Sequence, residues 1–396
     1  MKNKLLIIST LLPAILLSGC YDHREIDETA YIVALGIDKG EKEGFSYTFQ
    51  FSAPLAISGG EEKKSSSKDS EKKSGENSTV STLTISAPDF YIAKNLTNNF
   101  LSKNIDMSHI KLIVFSSDIS VKGIENHSQL LLREREVRPH TAIAVSAGKS
   151  SDYLEKVNPE LESNTSKYYE LISLRSNNAY APTKRLHDFV DELAAKNGIS
   201  VLPLAMSGDE TEKLPKAPET SNWISAHKSK IDSNNSVLCG MAVFKDGRLL
   251  TATDSDSAMI FNILSRSIED CSFTLKDKNN PQKTLTFRLI IPEKAAYTTD
   301  LNRKNIRVSQ SFRAEFLGSI LPESYGSFDE LYAYADSVLT KRIQSFFRDF
   351  SQAEDVDIMD IRSCTRKKFF TWNEWNSFDW ESFYRQATIS VDIKLS

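Results

Sequence analysis

The chain is poor in the residues that most catalytic and cofactor motifs require. Its 396 residues include 15 glycines, 4 cysteines and 6 histidines. No Gly-x-Gly-x-x-Gly or Walker loop occurs, so no phosphate-cradling backbone is encoded. No Gly-x-Ser-x-Gly turn occurs, so the nucleophile elbow of an α/β-hydrolase is excluded. No two of the histidines, at positions 23, 109, 127, 140, 187 and 227, have the helical spacing of zinc ligands, and they read as ordinary core or surface side chains. A basic excess is also missing: Lys+Arg number 49 against Asp+Glu 53. That balance argues against nucleic acid as a partner. After the first twenty residues there is no second long apolar run, so nothing further along has the ~20 apolar residues that cross a bilayer. The reading that remains has no catalytic residues, no metal site and no cofactor.

What is present begins at the N-terminus. Lys2 and Lys4 form a short positive region, and residues 5–17 are apolar apart from Ser9, Thr10 and Pro13. This run is too short to span and stops at Tyr21-Asp22-His23-Arg24-Glu25, which is the pattern of an export signal and not of an anchor helix. Leu17-Ser18-Gly19-Cys20 matches a bacterial lipobox in full. Small residues before the cysteine admit a peptidase, and the thiol of Cys20 can take a diacylglyceryl group. Two acyl chains hold a protein stably at a membrane where one does not. The expectation is a lipoprotein with signal peptide 1–19 and lipid attached to Cys20.

The rest is ordinary globular sequence, 40% hydrophobic and 26% charged. Residues 30–37 read as a buried strand, and 45–51 alternate strictly as a half-buried strand. Residues 58–78 hold five acids, five bases and no apolar side chain. Such a segment cannot offset its ordering entropy and reads as a disordered loop between two strands, the second at 80–85. Helices are expected at 90–101, 123–136, 151–157 and 165–175, with strands at 109–115 and 141–147. A further amphipathic helix opens at Pro182, with Gly198 as its C-cap and a strand at 199–204 after it. Strands alternating with helices imply helices packed on a mixed or partly parallel sheet.

Residues 207–222 are polar with two prolines and form the expected linker. Asp246-Gly247 marks a hairpin between strands at 237–245 and 248–253. A helix at 259–267 and strands at 271–275, 284–291 and 306–314 follow. Ser327 and Glu330 begin the longest helix, 328–350, as a capping box, and 387–395 is a last alternating strand. The expected fold is α+β and multidomain, with mixed sheets carrying helices and a C-terminal antiparallel sheet covered by one long helix. Its domains are 20–206, which admits two subdomains, and 223–396.

Two clusters stand out as candidate partner interfaces. Arg133-Glu134-Arg135-Glu136-Val137-Arg138 sets Arg133 and Arg135 among acids, either to grip a partner or as a solvated helix end. Phe369, Phe370, Trp372, Trp375, Phe378, Trp380, Phe383 and Tyr384 follow Arg366-Lys367-Lys368. Trp372, Trp375 and Trp380 could anchor an interface or membrane surface, or fix a helix onto the last strand. Cys239, Cys271 and Cys364 are an odd, widely spaced remainder. Cys239 and Cys271 either pair or, like Cys364, are small buried apolar residues.

The order of several segments resembles the Ger(x)C family, the lipoprotein C subunit of nutrient germinant receptors of spore-forming bacteria. They are Cys20-Tyr21-Asp22-His23-Arg24-Glu25-Ile26, Leu35-Gly36-Ile37-Asp38, the Lys/Ser loop before 109–115, the Arg133 segment, Val201-Leu202-Pro203, the Gly240 to Leu249 hairpin and the Trp-rich tail. Tyr21 stands where the family usually has Trp, and the family's Asp-Ile-Phe stretch is only echoed at Asp357-Ile358-Met359. The resemblance implies a three-domain, extracytoplasmic, non-enzymatic protein working beside a polytopic A subunit and a B subunit at the spore inner membrane in nutrient-triggered germination. A rival is the solute-binding lipoprotein of an ABC transporter, but that needs two doubly wound lobes. A cell-wall enzyme lacks its catalytic constellation here.

Overall fold

The computed structural model describes residues 28–41, 44–52, 80–159, 161–162, 164–174, 178–195, 198–207, 222–225 and 236–396. The expected signal, Cys20 and the 58–78 loop lie outside these residues, as does most of the expected linker.

Strand β1 (Thr29–Lys39) is buried without interruption from Ile32 to Asp38, as befits a strand covered on both faces. β2 (Phe45–Ser52) and β3 (Val80–Ala87) extend it antiparallel, in register from Phe45↔Ala87 to Ser52↔Val80. The polar 58–78 segment therefore joins two neighbouring strands. Helix α1 (Phe90–Phe100) follows, capped by Asp89, whose carboxylate accepts from the Ile92 N–H at 2.9 Å. The short β4 (Asn104–Asp106) lies parallel to the start of β1. β5 (Leu112–Ser116) and β6 (Ala142–Ser146) are buried throughout and run parallel to β1.

The helix expected over 123–136 is α3 (Glu125–Arg133), and an unexpected short helix, α2 (Ser117–Lys122), precedes it. Gly123 at φ +116° breaks them, a conformation only glycine adopts readily. α4 (Ser150–Lys156) and α5 (Thr165–Leu174) come next. α6 (Leu186–Ala194) begins four residues after Pro182, because Arg185 first bridges to Ala142. Its C-cap is Ala195; Gly198, at φ +58°, shapes the entry to the next strand instead.

β7 (Ile199–Ser207) is parallel to β6, and β8 (Ser236–Lys245) and β9 (Arg248–Thr253) then turn antiparallel. The sheet order is β3-β2-β1-β5-β6-β7-β8-β9. The 237–253 hairpin, expected with the C-terminal half, is hydrogen-bonded into this sheet through β7 and also packs on the core of the second half. β7 and β8 pair from Ile199↔Lys245 to Ser207↔Ser236, so the chain leaves the sheet at Ser207 and re-enters it at Ser236. The physical reason is that β8 serves two cores. Ala242 and Phe244 join Leu202 and Leu204 on one face, while Met241 and Val243 join the core of the second half. Asp246 and Gly247 have φ of +50° and +76°, the paired positive values of a type I′ turn.

Helix α7 (Ser255–Ser265) packs between this hairpin and a second sheet of β10 (Asp270–Lys276), β11 (Thr284–Ile290), β13 (Asn305–Phe316) and β12 (Ala296–Asp300). These four are antiparallel and alternate buried with exposed. β14 (Thr388–Leu395) joins beside β13, parallel to it. Parallel neighbours need a long crossover, and the helical segment between them supplies it. That segment opens with α8 (Phe328–Ser345), which continues as a π-helical stretch over Phe346–Gln352. Ser327 accepts from the Glu330 N–H at 3.2 Å, but Glu330 accepts from the Gly326 N–H at 2.9 Å, one residue before a reciprocal box. Leu331, Ala335, Val338, Leu339 and Ile343 are its buried stripe.

Candidate functional site

The aromatic tail divides into interior and surface. α9 (Ile361–Thr365) and a 3₁₀ turn (Arg366–Lys368) lead to α10 (Trp372–Ser377) and α11 (Trp380–Gln386). Thr371 and Glu374 form a full capping box on α10. Trp375 is 5% exposed and Trp380 is 4% exposed. Trp375 packs on Phe369 at 5.3 Å, which meets Phe378 at 5.1 Å, which meets Phe383 at 5.6 Å, and Trp380 closes the row against Phe383 and Tyr384. Gln352 Nε2 donates to the Tyr384 and Ala387 carbonyls and ties this row to the end of the long helix. Trp375 and Trp380 are thus placed inside the C-terminal half. Trp372 is 56% exposed and Phe370 is 99% exposed.

Arg133 ends α3 and Arg135 lies in the turn after it; both are exposed. Between and beyond them, Glu134 and Glu136 pair with Lys94 of α1 at 3.3 and 3.2 Å. The arginine turn is therefore held against α1. That helix buries Phe90, Ala93 and Thr97, yet leaves Tyr91, Ile92, Leu96 and Phe100 exposed. Its outward residues carry no charge, and Phe100 is 74% exposed. Sequence reading found this helix but not its uncovered apolar face. The signal was there: apolar side chains recur at 92, 96 and 100 as well as on the buried side.

Where the two halves meet, two adjoining cavities of about 170 and 240 Å³ share Ile199 and Asp357. Several of their charges are paired within the protein: Lys184 donates to Glu192 at 2.5 Å, Lys245 to Glu381 at 3.0 Å, and Arg385 to Asp355. The Asp357 carboxylate accepts from the Ile361 and Arg362 N–H groups at 2.9 and 2.8 Å. Burial nevertheless pushes its pKa up to about 7, the two backbone donors opposing it. A second cluster is buried: Arg342 Nη2 is 3.9 Å from Asp254 and 3.8 Å from Asp256. These groups form an ion-paired seam.

The three described cysteines are free thiols. Cys239 Sγ lies 2.8 Å from Ser255 Oγ. Burial raises the pKa of Cys239 and pushes Cys271 up to about 12, which keeps both protonated and unreactive. Among the described residues, no group of three or more His, Cys, Asp or Glu is arranged to hold a metal, and no helix is long and apolar enough to cross a membrane.

Fold and surface together define a two-sheet α+β protein that presents an uncovered helix face and an exposed basic–aromatic turn. A family model described as spore germination protein N-terminal domain matches residues 22–205, and one described as spore germination B3/GerAC like, C-terminal, matches 239–396. The chain belongs to this GerAC family of spore germination proteins. Spore germination protein A3 of Bacillus subtilis (strain 168) is 24% identical over 170 residues, 42% of each chain. YfkR of the same strain, by its description a spore germination protein, is 28% identical over 144 residues, 36% of this chain and 35% of that protein. The chain thus spans about a third to two-fifths of the curated relatives it matches. The crystal structure of the GerBC protein shares the fold, with a TM-score of 0.53 at 12% identity over 91% of this chain and 96% of that one.

Proposed function

We propose that this chain is a lipid-anchored, non-catalytic C subunit of a spore germinant receptor, working beside A and B subunits at the spore inner membrane. The observation that carries the reading is the match of two spore germination domains, in order, over both halves of the chain. The lipobox at Cys20 supports the anchor on the extracytoplasmic face. β1 starts at Thr29, nine residues after Cys20. A chain reaches at most ~3.6 Å per residue, so a lipid on Cys20 keeps the folded body within about 30 Å of the bilayer. Confinement of this kind raises the effective concentration for assembly with membrane-embedded subunits. The surface proposed to meet a protein subunit is α1 with its arginine turn. Apolar and aromatic side chains bordered by Arg133 and Arg135 have the composition of an interface centre.

Affinity purification of the chain from spore membranes tests the reading. Recovery of a polytopic receptor subunit, lost in Leu96→Asp/Phe100→Asp, is the expected result. Recovery of ABC permease components would refute it. Cys20→Ala should release the protein from the membrane fraction and impair germination while the domains stay folded; firm membrane retention would remove the lipid anchor from the proposal.

A further inference from the structure

We propose that the turn from Arg366 to Trp372 is a second membrane contact, which docks the C-terminal half on an anionic bilayer surface independently of any lipid on Cys20. Arg366, Lys367 and Lys368 are consecutive and all exposed. They stand in a chain whose net charge is −4, so the patch opposes the charge of the whole. Lys294 is exposed on the same side, close enough to Cys364 to act on that thiol together with Lys367. The acids in this region are Glu293 beside Lys294 and Asp360 before α9, both exposed, and Glu374, which is occupied by the Phe370 and Thr371 N–H groups at 3.1 and 3.4 Å.

The two aromatic rings beside the cations project outward because their neighbours do not. Phe369 and Trp375 are packed together, and the capping box fixes the start of α10. Phe370 and Trp372 are therefore held outward by a folded turn, with the Arg366 guanidinium 5.0 Å over the Trp372 ring. Little ordering remains for docking to supply. Amphipathic rings flanked by cations suit the headgroup level of a membrane, where rings sit among acyl ends and cations meet anionic phosphates.

The test uses the full chain carrying Cys20→Ala, so that no acyl chain contributes. Sedimentation is measured with vesicles of phosphatidylcholine alone or mixed with phosphatidylserine. Binding should be at least about tenfold tighter with phosphatidylserine and should weaken with salt. Arg366→Ser/Lys367→Ser/Lys368→Ser should abolish that preference, and Phe370→Ser/Trp372→Ser should weaken binding about tenfold, both variants keeping the parent's near-ultraviolet circular dichroism. A Phe370→Leu variant, which keeps an apolar tip, should retain most binding. Equal binding by parent and both multiple variants overturns the proposal. So does normal vesicle binding with loss of a co-purifying protein, which makes the turn a protein interface. Since Cys20 is absent throughout, failure here leaves the lipid anchor and the receptor reading untouched.

Discussion

Replacing Trp375 by alanine should strongly destabilise the C-terminal half, whereas the same change at Trp372, three residues earlier, should hardly be felt. Trp375 is buried against Phe369 with the Arg362 guanidinium 5.2 Å over its ring. A tryptophan buries about 200 Å², which at ~25 cal/mol per Å² amounts to roughly 5 kcal/mol of transfer. Truncating such a residue to alanine costs about 3–5 kcal/mol once the cavity relaxes in part. Trp372 is half exposed, and its contact with Arg366 is worth about 0.5–1 kcal/mol. With a urea slope of ~3 kcal/mol per M, the unfolding midpoint of the C-terminal half should fall by about 1–1.7 M in Trp375→Ala and by less than about 0.4 M in Trp372→Ala. Urea titration followed by circular dichroism reads both. Equal midpoints for the two variants would refute the burial argument, and a Trp375→Ala protein with parental stability would return that ring to the surface.

Three further outcomes follow from the buried polar groups and the hairpin. Asp357 has a folded pKa of about 7, above the ordinary ~3.9 of an unfolded aspartate, so its contribution is full below pH ~4 and is lost as pH rises through 7. Subtracting the pH–stability curve of Asp357→Asn from that of the parent should show this fall, up to roughly 4 kcal/mol at ~1.36 kcal/mol per unit; a flat difference would refute it. Arg342→Met removes the guanidinium from beside the buried Asp254 and Asp256 and should lower stability by about 3–5 kcal/mol, measured by thermal unfolding. Gly247→Ala places a Cβ 2.8 Å from Glu125 Cβ at φ +76°; a loss of about 1–2 kcal/mol is expected, and chemical denaturation with no loss would show that the hairpin tip does not press on α3.

Much of the local structure was legible in the chain, because the periods that reveal it are local. The alternation of 45–51, the Asp246-Gly247 turn and the Ser327 cap each depend on a few adjacent residues, and each appears in the fold. The family, too, could be read from the order of motifs without any coordinates. What pairs with what was decided only by tertiary structure. A hairpin carries no address for its sheet, and β8–β9 joined the first because its two faces could fill two cores at once. β14 became a parallel neighbour of β13 because the intervening helices are long enough to carry the chain back. Trp372, Trp375 and Trp380 are one residue type in one aromatic run. Only their neighbours determine that two fill the interior and one faces outward, since burial belongs to the packed surroundings and not to the side chain itself.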